Sequence, residues 1–123
     1  MNKRLSITAL LGALAIILGA FGAHALKHKL SVDALQSFET GVRYQFYHVI
    51  ALLFVNTYAG FSNKQKNSIS LLFFIGILFF SGSIYVITAG GINPKLIWFI
   101  TPLGGLLFIV GWLYIFYIFL KKK

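Results

Sequence analysis

The sequence predicts an all-α protein: a transmembrane four-helix bundle with an amphipathic outer-surface helix between the first and second spans. Three observations lead there. The 123 residues are 59% hydrophobic and only 11% charged, less than half the charged share of about 25% in an ordinary soluble domain. The apolar residues fall into four runs long enough to cross a bilayer, which takes about 20 residues as helix. Within each run they are contiguous, not alternating, which excludes barrel strands and leaves helices, the other way to satisfy a backbone in hydrocarbon. The net charge of +9 alone would suit nucleic acid, but a basic nucleic-acid module is not this apolar. With no cysteine, a disulfide scaffold and Cys-based zinc or redox sites are excluded.

We read residues 1–123 as a single integral membrane domain with spans at about 5–23, 44–61, 69–90 and 96–120. The first, Leu5 to Ala23, carries no charge and places Gly12, Ala15, Gly19 and Gly22 on one face, where a neighbouring backbone can approach closely. Lys3-Arg4 followed by Ala23-His24-Ala25 also resembles a signal peptide. An h-region is only about 7–15 residues long, however, and we expect a retained helix. From Ser31, apolar Val32, Leu35, Phe38, Val42 and Phe46 recur with helical period opposite Asp33, Gln36, Ser37 and Thr40. Ser31 is the expected N-cap, with Asp33 at the positive end of the helix dipole. We expect this amphipathic helix to lie on the outer surface and bend near Gly41 into the second span. In the last span, Asn93-Pro94 and Thr101-Pro102 each read as a cap followed by proline at the first helical position. Either the helix starts at Pro94 and kinks at Pro102, the reading we favour, or a short outer segment precedes a span that begins at Pro102.

Orientation follows from lysine and arginine near the helix ends. Lys3, Arg4, Lys64, Lys66, Lys121, Lys122 and Lys123 make seven on one side, against Lys27, Lys29, Arg43 and Lys95 on the other. Both termini are therefore expected in the cytoplasm, in a bacterial plasma (inner) membrane. The expected partner is the lipid bilayer, with a second copy of the chain or another membrane protein as further partner class, and no nucleic acid.

Ionisable residues inside membrane segments point to function by default. His48, Tyr44 and Gln45 share a helix face, and Glu39 and Arg43 have the i,i+4 spacing of an ion pair. Placed by depth, polar side chains from all four spans gather toward the outer leaflet. His24, Arg43, Tyr44, Gln45, His48, Ser81, Tyr85 and Thr101 form the candidate ligand-binding set, in which Arg43 would attract an anionic group at the mouth. The inner half offers only scattered Ser6, Thr8, Asn56 and Thr57. No cofactor or metal is expected: His24, His28 and His48 match no metal spacing, and no intramembrane carboxylate joins them. No nucleophile sits beside a base, so no catalytic residue is assigned and a non-enzymatic role is expected. It would consist of packing, interaction or lipid association, the alternative being a small-molecule binding or transport component with an outward-facing pocket around His48.

Four segments carry a resemblance: GAFGAHAL at Gly19–Leu26, TGVRYQFYH at Thr40–His48, SGSIY at Ser81–Tyr85, and ITPLGGL at Ile100–Leu106 with Gly111-Trp112 downstream. Together, in this order and over nearly the whole chain, they resemble the YgdD/YwdK-like family of small bacterial inner-membrane proteins. The resemblance implies four transmembrane helices and a plasma-membrane location, and it implies no activity. The matching positions include His24, Arg43, Gln45, His48, Tyr85, Thr101, Pro102 and Trp112.

Overall fold

The computed structural model describes residues 2–122; their regular structure is entirely helical, with short connections between the helices and no strand among them. The helices are α1 (Lys3–Phe21), which runs on through a π-helical turn at Gly22–Leu26, α2 (Val32–Thr57), α3 (Asn63–Thr88), the single turn α4 (Pro94–Ile97) and α5 (Ile100–Lys121). Three helical segments, Lys3–Leu26, Asn63–Thr88 and Ile100–Lys121, are long and apolar enough to cross a membrane. The start signals are local. The Asn2 side chain accepts from Leu5 N at 3.1 Å and Ser31 accepts from Ala34 N at 3.1 Å. Ser62 and Gln65 form a reciprocal capping box. Lys123 of the lysine tail lies outside the described residues.

The long helices pack in chain order, α1 on α2, α2 on α3, and α3 on α5. Arg4 bonds Asn56, and Lys122 bonds the Gly60 carbonyl, so the start of α1, the α2–α3 loop and the end of α5 share one end of the bundle. We call it the terminal end. The π turn and α4 lie at the other, far end. The small-residue face of α1 is consumed inside the chain: a Cβ on Gly12 would meet Val49 at 3.2 Å, one on Gly19 would meet Val42 at 3.5 Å, and one on Gly22 would meet the Phe38 ring at 2.9 Å. Leu52, Val55, Ile69 and Phe73 are fully buried where α2, α3 and α5 meet. Large apolar side chains such as Ile16, Leu78, Leu113 and Phe116 remain exposed around the outside, which suits a lipid solvent and would expose an aggregation-prone surface in water.

Two expectations are corrected. No separate surface helix bends at Gly41, because α2 runs unbroken from Val32 to Thr57. Gly41 is instead a point of close approach: a Cβ there would stand 3.0 Å from the Tyr85 ring, and its carbonyl accepts the Ser81 hydroxyl at 2.6 Å. Nor does one kinked helix run from Pro94. The chain breaks between Ile97 and Ile100, because Pro102 has no N–H for the Trp98 carbonyl four residues back and its ring crowds that carbonyl. Asn93 caps α4 through Lys95 N at 3.0 Å, as expected. Thr101 does not cap α5, which starts at Ile100 without a side-chain cap.

The tightest interhelical contact is at Gly104, where an added Cβ would lie 2.3 Å from Phe80 N and 2.8 Å from its Cα. Backbone cannot rotate aside as a side chain can. At the adjacent Gly105 the nearest atom is the Phe80 ring at 3.7 Å. We therefore predict that Gly104→Ala destabilises the α3–α5 pair by about 3 kcal/mol, whereas Gly105→Ala is near neutral. Unfolding in mixed detergent micelles measures both.

Candidate functional site

Packing sets the depth of each polar side chain. Gly76, midway along α3, faces Phe108, and the His48 ring stacks on Phe108 with centroids 3.7 Å apart and planes 9° apart. His48 thus lies near mid-depth, not toward the outer leaflet as expected. The discrepancy arises because α2 begins twelve residues before Tyr44, so its far half overlaps the neighbouring helices instead of lying on the surface.

His48 is 4% exposed. Its Nδ1 is 2.6 Å from the Tyr44 carbonyl oxygen; a carbonyl only accepts, so Nδ1 carries the proton. That leaves a lone pair on Nε2, which accepts the Trp112 indole N–H at 3.0 Å. The result is a neutral imidazole of one tautomer, saturated at both nitrogens, with Phe108 on one face and the Phe73 ring at 5.0 Å on its edge. The lone pair a base or metal ligand needs is committed to Trp112.

Gln45 ties three helices: its amide donates to the Leu11 carbonyl of α1 at 2.8 Å and its oxygen accepts the Tyr85 hydroxyl of α3 at 2.7 Å. Toward the far end, Ser81 donates to Gly41 O. Ser83 donates to the Phe80 carbonyl at 3.0 Å, so Thr101 is the donor in the short Ser83–Thr101 hydroxyl pair that joins α3 to α5.

Of the eight sequence candidates, Gln45, His48, Ser81, Tyr85 and Thr101 are drawn into these interhelical bonds. Tyr44 packs against Phe80, with centroids 5.1 Å apart and the ring planes tilted by 44°. His24 stays exposed in the π turn. Arg43 is exposed and donates to Thr40 Oγ1 at 3.0 Å; among the described residues the expected pair with Glu39 does not form. The candidates also face different grooves. Tyr44 and His48 line one of about 550 Å³ against α5 with Pro102, Gly105 and Trp112. Gln45 and Tyr85 line another, of about 360 Å³, against α1.

Sequence reading missed two partners. Trp112 is 64 positions from His48; the signal was that an indole N–H in a long apolar run needs an acceptor. At the terminal end, the Asn56 amide nitrogen donates to Ser70 Oγ and to the Leu52 carbonyl, each at 2.9 Å, while its oxygen accepts Arg4 Nε at 2.6 Å. Asn56 is therefore one node of a network and not a scattered polar residue.

Apolar helices with exposed greasy faces and internally closed polar ties define the chain as a helical integral membrane protein. Residues 18–105 match the family described as "Protein of unknown function (DUF423)", and the chain belongs to that family. It is 43% identical over 122 residues to a UPF0382 membrane protein of Haemophilus influenzae, covering 99% of this chain and 97% of that one. It is 43% identical to the UPF0382 membrane protein SSP2132 of Staphylococcus saprophyticus, covering 92% of each chain. To the UPF0382 membrane protein YwdK of Bacillus subtilis it is 38% identical, covering 94% of each. No solved structure matches.

The His48–Trp112 bond yields a double-mutant prediction. Interhelical hydrogen bonds in membranes contribute about 0.6–2 kcal/mol. His48→Phe keeps a ring against Phe108 but orphans the Trp112 N–H. Trp112→Phe removes that donor. Each single change should cost stability, and the pair should cost less than the sum by about 1 kcal/mol. Unfolding titrations of the four proteins measure this coupling.

Proposed function

We propose that this chain is a non-enzymatic, four-crossing protein of the bacterial plasma membrane, one domain over residues 1–123, whose work is packing, interaction and lipid association. The observation that carries the reading is polar closure. Every buried side-chain nitrogen and oxygen among the described residues has a hydrogen-bond partner, and the His48 lone pair is spent on a tryptophan. A reactive site keeps a nucleophile, base or electrophile unspent for substrate.

In this proposal α2 is the fourth span. It lies antiparallel beside α1 from Asn56 against Arg4 to Phe38 against Gly22. Gln45, His48 and Asn56 turn inward while Tyr47, Ile50, Leu53 and Phe54 are exposed. Its 26 residues measure about 39 Å at 1.5 Å each, against a hydrocarbon thickness of about 30 Å, so the first turn, which carries Asp33, projects beyond the apolar layer. The terminal end then faces the cytoplasm, by the excess of lysine and arginine there. Because the chain has no cysteine, single introduced thiols test this cleanly. Ser62→Cys should resist a membrane-impermeant maleimide in intact cells and react after permeabilisation. Lys95→Cys should react in both states. The opposite pattern would invert the topology.

A second reading rests on the groove beside His48: a small molecule binding against Tyr44, His48 and Trp112, with Gln45, Tyr85, Ser81, Thr101, His24 and Arg43 as the wider candidate set. Thermal-shift screening of the purified protein against lipids, quinones and metabolites decides between the two readings. We expect no soluble metabolite to stabilise it. A compound that raises the melting temperature by about 5 °C or more, with the gain lost in His48→Phe, would overturn the closed-cluster reading in favour of binding.

A further inference from the structure

The terminal end carries a different chemistry. Lys3, Arg4, Lys64, Lys66, Lys121 and Lys122 all lie at the ends of α1, α3 and α5 that meet there. The chain's two acidic side chains, Asp33 and Glu39, sit in the opposite half of α2, about 34 Å and 25 Å along that helix from Asn56 at 1.5 Å per residue. No carboxylate side chain can reach this cationic rim.

Within it Arg4 is unlike the lysines. It is half-buried, and its guanidinium rests on Asn56, which is 6% exposed. The Asn56 amide is locked in orientation: its nitrogen gives both protons, to Leu52 O and Ser70 Oγ, so its oxygen must face Arg4 Nε. Thr8 Oγ1 donates to the Arg4 carbonyl at 2.7 Å and steadies the same turn. Nε is thereby spent, and among the described residues no other bond engages the guanidinium. The edge formed by its two Nη groups has the fork that matches two phosphate oxygens. The cation also stands in the first turn of α1, where the helix dipole is positive and disfavours it. A topology signal needs only charge, which a mobile lysine supplies. It does not need a buried asparagine beneath a guanidinium.

We infer that Arg4, seated on Asn56, is a recognition point for the phosphate of an anionic phospholipid, with the surrounding lysines adding attraction. A lipid, not a soluble anion, is the source because Arg4 opens an apolar helix whose next turns expose Ile7 and Leu10, placing a phosphate there at headgroup depth. The inference rests on the membrane placement proposed above.

The test is native mass spectrometry of the full chain in non-ionic detergent, titrated with dioleoyl phosphatidylglycerol or dioleoyl phosphatidylcholine. Wild type should retain the anionic lipid about fivefold more than the zwitterionic one. Arg4→Gln should bring the ratio to about one, and Arg4→Lys, which keeps the charge but loses the Nε seat, should fall between them. The double change Lys121→Gln/Lys122→Gln should leave the ratio within about twofold. A ratio unchanged in Arg4→Gln would overturn the inference. So would an Arg4→Lys protein indistinguishable from wild type, which also decides the matter if Arg4→Gln does not fold. Displacement of phosphatidylglycerol by about 10 mM inorganic phosphate would assign the site to free phosphate and overturn the lipid. A reversed cysteine-labelling pattern with the lipid ratio intact would overturn only the sidedness.

Discussion

In hydrocarbon a polar group without a partner has no water to turn to, and the cost of leaving it bare is several kcal/mol. That constraint organises this bundle. Its helices bring few polar side chains, and each buried one is spent on a bond that crosses between helices or returns to a carbonyl of its own helix. Lipid tails are as apolar as leucine, so hydrophobicity alone gives the helices no reason to prefer one another over solvent. Register must come from the polar ties and from close backbone approach.

The ties are staged along the bundle axis. Arg4, Asn56 and Ser70 join α1, α2 and α3 at the terminal end. Near the middle, Gln45 joins α1, α2 and α3, and His48 with Trp112 joins α2 to α5. Toward the far end, Ser81 meets the Gly41 carbonyl and Thr101 meets Ser83. Glycines work beside them: Gly12, Gly19 and Gly22 admit α2 against α1, and Gly104 admits the backbone of α3 against α5. A slip of one helix past another would break bonds at several levels together.

The same economy separates structural from chemical histidine. A catalytic or metal-binding imidazole needs one nitrogen facing its substrate or ion, oriented by a partner on the other. His48 has the orienting partner, the Tyr44 carbonyl, but its second nitrogen faces an indole N–H. Arg4 is the converse. One nitrogen is anchored on a buried amide and, among the described residues, no side-chain carboxylate meets the charge, which turns an apparent topology signal into a place where the surroundings are asked for an anion.

The sequence by itself determined that the chain is helical and membrane-embedded, because contiguous apolar runs admit no other backbone solution in lipid. It also determined where α2 and α4 begin, because Ser31 and Asn93 act on amides two or three residues away, and that Pro102 must disturb the last helix. Whether Gly41 bends a helix or admits a neighbour, whether Thr101 caps α5 or bonds Ser83, and how deep His48 lies were decided only by tertiary structure. Each depends on what stands opposite across an interface, at separations of 18 to 64 residues, and local periodicity carries no information about that register. The partnership of Arg4 with Asn56, 52 positions apart, belongs to the same class. It exists because two antiparallel helices end at one level, which only their packing sets.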